Sequence, residues 1–249
     1  MPVARGPVLV FGATSGIAKA VALELAKLGH PLYLAARDPE ELARVAADLH
    51  IRTGVQVWSE VFDAADEDSY SRYLQDVYSA AGKLEGVVFA VGYLGDQSKA
   101  EEDWTEAKKI LETNFVQAAG ILHLVGSLLE LQESGWIVAL SSVAGDRGRM
   151  SNYVYGSAKG GLTVFLQGLR SRMQKSGVHV MTVKPGPVDT SMTYGMDKLP
   201  LLADPAKVGA TIVKALQKRK DVVYVPAPWK LIMFVLRSVP EKIFKKTSL

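Results

Sequence analysis

The sequence contains no cysteine, and this absence excludes several classes of chemistry. A disulfide bond, a thiolate nucleophile and cysteine-ligated zinc are all ruled out, and the composition is compatible with a reducing cytoplasm. Histidine is also scarce: its four residues are scattered and never reach the spacing of an HExxH zinc motif. The sequence therefore predicts no metal site.

Long apolar runs are missing as well. No stretch of about 18 apolar residues occurs, and the N-terminal residues lead directly into a strand and a glycine loop, so we expect neither a spanning helix nor a signal peptide. Hydrophobic residues make up 48% of the chain and charged residues 22%, as in folded proteins. Because no linker, repeat or low-complexity segment interrupts it, we predict one domain over 1–249.

An excess of positive charge occurs only near the C-terminal end. The segment 217–249 holds eight Lys or Arg residues and two acidic residues, so the rest of the chain is slightly acidic although the net charge is +3. The sequence therefore predicts no basic surface over the whole molecule, and we expect no nucleic-acid partner.

What the sequence does contain is a series of short apolar segments that alternate with longer helical patterns. Near-continuous apolar strands separated by helices predict a parallel sheet covered on both faces. We predict an α/β protein with a doubly wound Rossmann-like fold of about seven strands, whose ligands bind beyond the carboxyl ends of the strands. The predicted strands are 7–13, 31–36, 55–62, 84–92, 135–142, 178–186 and 221–226, and the predicted helices are 15–28, 39–49, 66–81, 104–130, 153–174 and 205–218.

A glycine-rich turn follows the first predicted strand. Its glycines permit a tight turn and the close approach of a pyrophosphate, and the amides that begin the next helix would point at that phosphate. A plain strand-to-helix turn is the alternative. The candidate cofactor-binding residues of this turn are Gly12, Thr14, Ser15, Gly16 and Ile17.

The second predicted strand ends in Ala36, Arg37 and Asp38. An NAD site usually has an acidic residue here for the ribose 2′-hydroxyl, whereas an NADP site has a cation for the 2′-phosphate. A guanidinium forms charge-assisted bonds to phosphate, so Arg37 favours NADP(H) over NAD(H). Two alternatives stay open, in which Asp38 either serves as the NAD-type acid or caps the helix that begins at Pro39.

Tyr155 and Lys159 form a Tyr-xxx-Lys pattern at the start of a predicted helix, and residues four apart share a helix face. Ser142 stands thirteen residues before Tyr155, at the end of the fifth predicted strand. A second match, Tyr194 with Lys198, has a methionine at the corresponding position and lies in a Gly/Met/Pro-containing connection. We interpret Tyr194 as a substrate-loop residue or an incidental match.

Together with the glycine turn and the segment PGPVDT at 185–190, this pattern resembles the short-chain dehydrogenase/reductase family up to about residue 225. Two departures are visible. Ala18 replaces the third glycine of the family's loop, and of the family's Asn-Asn-Ala-Gly only Gly92 survives. The resemblance implies an oxidoreductase that transfers hydride between nicotinamide and a carbonyl or secondary alcohol, with a catalytic set of Asn114, Ser142, Tyr155 and Lys159.

The chemistry of hydride transfer explains these residue types. Tyr155 would act as the acid/base, and its pKa near 10 must be lowered for work near pH 7, which a cation close to it favours. Lys159 is the expected cation, and the resemblance also places it on the nicotinamide ribose. Ser142 would stabilise the substrate oxygen, and the resemblance implies that Asn114 holds a water linking Lys159 to solvent. The alternatives are a strand-end serine, a helix irregularity at Asn114 and a solvated lysine.

The resemblance assigns further cofactor contacts. It implies that Asp63 meets the adenine ring, and that Thr190 and the backbone of Val188 meet the nicotinamide carboxamide. The alternative for Asp63 and Thr190 is the capping of a local turn. Residues 191–203 correspond to the family's mobile substrate loop, and their apolar character predicts a hydrophobic or bulky substrate.

The C-terminal tail, 227–249, contains a six-residue apolar run bounded by Lys230 and Arg237. It is too short to span a bilayer. It is suited either to peripheral contact with an anionic membrane or to packing on the subunit or an oligomer neighbour.

We therefore predict a cytoplasmic homodimer or homotetramer that acts on a small-molecule carbonyl or alcohol. One alternative is a keto-reductase of a polyprenyl-linked sugar in peripheral contact with the inner membrane face. The C-terminal tail and the segments LVFGATSGIA and LAARDPEEL resemble those of such family members. An alternative of another class is a non-catalytic dinucleotide-binding scaffold, since a fold does not determine a function.

Overall fold

The computed structural model describes residues 5–196 and 199–247, and its central feature is one all-parallel sheet. The spatial order of the seven strands is β3-β2-β1-β4-β5-β6-β7. This confirms the predicted Rossmann-like fold, although the strands are shorter than predicted because their ends pass into turns. The strands are β1 Val8–Phe11, β2 Leu32–Ala36, β3 Val57–Val61, β4 Gly86–Phe89, β5 Trp136–Leu140, β6 His179–Pro185 and β7 Val222–Val225.

The helices differ from the predicted ones in several places. A 3₁₀ turn, Glu67–Ser69, begins the third helix, and a π-helical segment, Glu112–Val116, divides the long helix predicted over 104–130. Short helices also form where none was predicted, at α4 and in the tail. The helices are α1 Gly16–Lys27, α2 Pro39–Thr53, α3 Tyr70–Ala81, α4 Gln97–Glu102, α5 Trp104–Leu111, α6 Gln117–Gln132, α7 Tyr153–Met173, α8 Pro205–Gln217, α9 Pro228–Ser238 and α10 Glu241–Phe244.

Both faces of the sheet are covered, which explains the uninterrupted apolar strands. Helices α1, α2 and α8 enclose one apolar core layer, and α3, α6 and α7 enclose the other. The strand order reverses between β1 and β4, so the connections after these two strands leave in opposite directions. A crevice opens at the carboxyl ends there, as expected for an open α/β sheet.

Within the described residues, the stretch Trp104–Gln132 is long and apolar enough to cross a membrane by composition. In the fold, its side chains Ile121, Leu122, Val125 and Leu129 are buried in the core layer that α3, α6 and α7 enclose against the sheet. Its apolar composition is accordingly that of a central core helix.

Candidate active site

The glycine turn between β1 and α1 forms one wall of the crevice. Gly12 has a φ of 70°, and a Cβ there would approach the Ala90 carbonyl carbon to 2.9 Å, so the backbone conformation requires glycine. Ser15 caps α1, because its hydroxyl oxygen accepts a bond from the Ala18 amide at 3.3 Å. The first amides of α1 have no partner within the helix and carry its positive dipole end.

A cleft of about 590 Å³ extends from this turn across the strand ends. It brings together every sequence-predicted site residue except Asn114, which lies just behind its wall. The predicted residues that line it are Gly12, Thr14, Ser15, Gly16, Ile17, Arg37, Asp63, Gly92, Ser142, Tyr155, Lys159, Val188 and Thr190.

Tyr155 and Lys159 lie one turn apart at the start of α7 and face the same cleft. The Lys159 amine is 5.8 Å from the centre of the Tyr155 ring and donates a hydrogen bond to the Leu140 carbonyl at 3.2 Å. Ser142 follows β5, and its hydroxyl accepts a bond from the Ala144 amide at 3.1 Å, which begins the 3₁₀ turn Val143–Asp146. The three side chains converge because β5 ends where α7 begins to cross the sheet.

Burial dominates the electrostatics of this group. It raises the pKa of Tyr155 to about 12, and the nearby Ser142 hydroxyl opposes the rise. Burial also lowers the pKa of Lys159 to about 8. The expectation that Lys159 brings the phenol toward neutrality is therefore wrong for the protein alone, because desolvation outweighs any attraction between the two groups.

Asn114 occupies the middle of the π-helical segment and is fully buried. Its side-chain amide donates to the carbonyls of Tyr93 at 2.5 Å and Ile110 at 2.8 Å, and its oxygen accepts from the Tyr93 amide at 3.1 Å. The point where a Gly92 Cβ would stand is 3.2 Å from the Asn114 oxygen and 3.4 Å from the Lys159 amine. The absence of a side chain at Gly92 thus leaves these two groups as neighbours.

The residues expected on the adenosine side have different surroundings. Arg37 is exposed on the cleft wall at the end of β2. Asp38 caps α2 by accepting bonds from the amides of Glu40 and Glu41, both at 3.0 Å, which is the geometry of the capping alternative. Asp63 lines the cleft while it accepts a bond from the Ala65 amide at 3.0 Å, so it also holds its own turn.

The segment after β6 closes the opposite end of the cleft. Thr190 packs against the glycine turn, since a Cβ on Gly16 would come within 2.6 Å of its methyl carbon. The Thr190 hydroxyl donates to the Val188 carbonyl at 3.3 Å. Met192 contributes to the lining, whereas Tyr194 is almost fully exposed and is not part of it. Lys198, the partner in the second Tyr-xxx-Lys match, lies outside the described residues.

Sequence reasoning missed one part of the lining, around Tyr93. The Lys109 amine stands 4.5 Å from the centre of the Tyr93 ring, and the Tyr93 hydroxyl donates to Glu106 at 2.8 Å. Tyr93 and Lys109 line the cleft. No motif marks these residues, because their proximity arises only when β4 and α5 meet.

Comparisons with known proteins agree with this geometry. A family model described as short chain dehydrogenase matches residues 7–198. An uncharacterized oxidoreductase of Mycobacterium tuberculosis is 35% identical over 240 residues, 96% of this chain and 96% of that protein. Among solved structures, a short-chain dehydrogenase from Sphingobium yanoikuyae in complex with NADPH has a TM-score of 0.81 at 23% identity, covering 95% of this chain and 97% of that one. An NAD+-bound xylitol dehydrogenase has a TM-score of 0.79 at 20% identity, covering 88% and 96%.

Proposed function

The chain belongs to the short-chain dehydrogenase/reductase family, and from that premise we propose that it is one NADP(H)-dependent domain acting on a carbonyl or secondary alcohol. One observation carries the proposal. The Tyr155 phenol, the Lys159 amine and the Ser142 hydroxyl open into the same cleft as the glycine turn and the first amides of α1. A non-catalytic scaffold would need the turn but not this convergence of three polar groups.

The residues present fit a dinucleotide. The tight turn at Gly12 exposes the α1 amides of Gly16 and Ile17, which suit a pyrophosphate. Asp63 stands where an adenine would lie, and Val188 with Thr190 stands at the opposite end, where a carboxamide would meet a backbone group and a hydroxyl. The positions of these groups support binding of a molecule that extends along the cleft.

When bound in this cleft, a nicotinamide dinucleotide would supply the hydride for reduction of a carbonyl. Tyr155, which is protonated at neutral pH, donates its proton to the oxygen, while Ser142 donates a hydrogen bond to the same oxygen. The phenolate that results is buried, and the Lys159 ammonium beside it compensates the new charge. Asn114, next to the Lys159 amine, is suited to hold a water through which the proton is replaced. In oxidation, Tyr155 accepts the proton.

Arg37 supports NADP(H) rather than NAD(H). It is exposed at the end of β2, where a 2′-phosphate would lie, and Asp38, the acid that follows it, is engaged as the cap of α2. The neighbours differ among themselves, since one holds NADPH and another NAD+. The preference therefore rests on this chain's own residues.

The decisive experiment on the reaction is Tyr155→Phe. The wild type is screened for NADPH oxidation with a panel of water-soluble ketones, and the variant is assayed with any ketone that is reduced. We expect turnover to fall by about a thousandfold, as for loss of a general acid, with NADPH affinity retained within a few-fold by calorimetry. Equal turnover would remove Tyr155 from the mechanism, and loss of NADPH binding would mean that the hydroxyl is structural.

The cofactor is tested by titrating NADPH and NADH separately. We expect NADPH to bind more tightly, and Arg37→Ala to weaken NADPH by about ten- to a hundredfold while leaving NADH unchanged. Arg44→Ala, at an exposed arginine of α2, is the matched control. A wild type that prefers NADH would overturn the assignment.

A cytoplasmic location and a homo-oligomer remain predictions. A second candidate function, reduction of a keto group on a polyprenyl-linked sugar, is favoured by one observation: the outer face of α9 exposes apolar side chains. The two candidates share the same chemistry and differ in whether the substrate resides in water or in a membrane.

A further inference from the structure

Helix α9 has two apolar faces, and among the described residues one of them packs on the fold while the other is exposed. Trp229 and Met233 are buried and pack on Val143, with Ile232 and Leu236 partly buried beside them. These positions repeat at helical spacing, so they form the inner face. The tail thus packs on the subunit along this side, as one of the two sequence-based alternatives expected.

The outer face carries three exposed apolar side chains at positions i, i+3 and i+4. Leu231 and Phe234 are 68% and 69% exposed, and Val235 is 54% exposed. Ile243, in α10, is exposed to 58%. A helix that already packs one apolar face on its own subunit does not need a second one for folding, and a contiguous exposed apolar face is typical of an interaction surface.

Cations surround this outer face. Lys230 and Arg237 are seven residues apart and therefore flank Phe234 on one side of α9, and Lys242, Lys245 and Lys246 follow in and after α10. All five are exposed, and the Arg237 side chain also lies within hydrogen-bonding reach of the Tyr224 hydroxyl, at the edge of the inner face. The one acidic residue of this segment, Glu241, is paired with Arg147 at 2.7 Å, so it offsets little of the charge presented outward.

We infer that the outer face of α9 and α10 docks on an anionic lipid surface. Apolar side chains on a short helix enter the acyl boundary, and the surrounding cations meet the phosphates of the lipids. A second copy of this chain fits less well, because a twofold contact through this face would bring the same five cations against each other. Charge complementarity therefore selects an anionic surface.

The docking face is linked to the active site through the inner face of α9. Trp229 contacts Gly186 so closely that a Cβ on this glycine would overlap the indole. Its other neighbour, Val143, directly follows Ser142. Docking would thus hold the carboxyl end of β6 and the turn that Ser142 caps close to the lipid, where a substrate in the membrane could reach the cleft. This deepens the proposed function, although the docking itself does not depend on the reaction.

The test uses the full-length protein and sedimentation with two kinds of vesicle, phosphatidylcholine alone and phosphatidylcholine mixed with phosphatidylglycerol. We expect binding to the anionic vesicles only, weakened by salt. The double variant Leu231→Ser/Phe234→Ser should lower the partition coefficient at least about tenfold. The triple variant Lys242→Gln/Lys245→Gln/Lys246→Gln should lower it roughly a hundredfold.

Matched controls are Ile51→Ser/Leu131→Ser, which removes two apolar residues elsewhere that are even more exposed, and Lys207→Gln/Lys218→Gln/Lys220→Gln around α8. Both controls should leave partitioning unchanged. Absence of wild-type binding, or equal losses in the controls, would overturn the inference. A change in oligomeric mass for Leu231→Ser/Phe234→Ser, with vesicle binding intact, would show that a second copy covers this face. All variants should reduce a water-soluble ketone like the wild type, which separates this result from failure of the proposed reaction.

Discussion

Lys159 is a buried cation whose surroundings favour its neutral form. The residue is only 3% exposed, and its amine has the Leu140 carbonyl as hydrogen-bond partner. Desolvation is the cause that lowers its pKa to about 8, and no acidic residue is among the causes. A charge held in this way costs stability, and the proposed function gives the reason why the cost is tolerated.

This cost predicts that Lys159→Met stabilises the fold while it abolishes turnover. Below pH 8 the wild type carries the buried charge, and between pH 8 and the usual pKa of 10.5 the folded protein releases the proton before the unfolded chain does, so the cost disappears as pH rises. The variant's advantage in free energy of unfolding should therefore shrink by about 3 kcal/mol between pH 7 and pH 10.5. Denaturant unfolding at the two pH values measures it, and a constant difference would contradict the buried charge.

Two glycines with nearly the same positive φ allow the conformational cost of a Gly→Ala substitution to be separated from the cost of a steric contact. Gly12 has a φ of 70° and Gly54 has 72°, but a Cβ on Gly12 would stand 2.9 Å from backbone atoms of Ala90 and Val91, whereas a Cβ on Gly54 would meet nothing within 4 Å. Gly54→Ala should cost about 1 kcal/mol, from the left-handed conformation alone, and Gly12→Ala about 3 kcal/mol or more. The two free energies of unfolding decide this. Equal costs would mean that the turn after β1 relaxes freely.

At the scale of elements, the π-helical segment is the feature that builds the site without a sequence signal. Asn114 bonds Ile110, four residues earlier in the helix, and the backbone of Tyr93 after β4. The helix therefore widens at Asn114, whose side chain forms hydrogen bonds with the backbone at the end of β4. Apolar periodicity over 104–130 predicts one continuous helix, because periodicity registers which face is buried and not the local hydrogen-bond pattern.

A second interaction between elements joins the 3₁₀ turn Val143–Asp146, which Ser142 caps, to the sheet. Asp146, at the end of this 3₁₀ turn, forms a buried ion pair with Lys184 of β6 and accepts a bond from the Tyr224 hydroxyl at 2.7 Å. Asp146→Asn would leave the Lys184 charge buried and uncompensated, so we expect a loss of about 3–5 kcal/mol in free energy of unfolding.

The companion variant Asp146→Asn/Lys184→Met removes both charges and should recover part of that loss. Thermal and denaturant unfolding of the single and double variants measure the difference. A single variant that loses less than about 1 kcal/mol would show that the pair is hydrated.

At the scale of the molecule, the sequence predicted the sheet because burial on both faces leaves a direct mark, as in the apolar run of β1 and β4. It also predicted which residues share the cleft, since strand ends and the i, i+4 spacing of Tyr155 and Lys159 fix their positions. It did not predict the cluster around Tyr93 or the sign of the Tyr155 pKa shift. Both depend on neighbours distant in sequence and on the water that folding excludes.

The predicted homo-oligomer can be tested on the outer surface of α6 and α7, which pack side by side. Val164 of α7 is 67% exposed, and Val116, just before α6, is 49% exposed. In a twofold symmetric contact both protomers contribute the same residues. Val164→Asp would therefore desolvate two carboxylates per interface and should shift the protein to monomers in sedimentation velocity. Ile51→Asp, at an equally apolar residue of α2 that is 81% exposed, should leave the mass unchanged. A wild type that sediments as a monomer would show the oligomer prediction to be wrong, and a Val164→Asp oligomer would place the contact on another face.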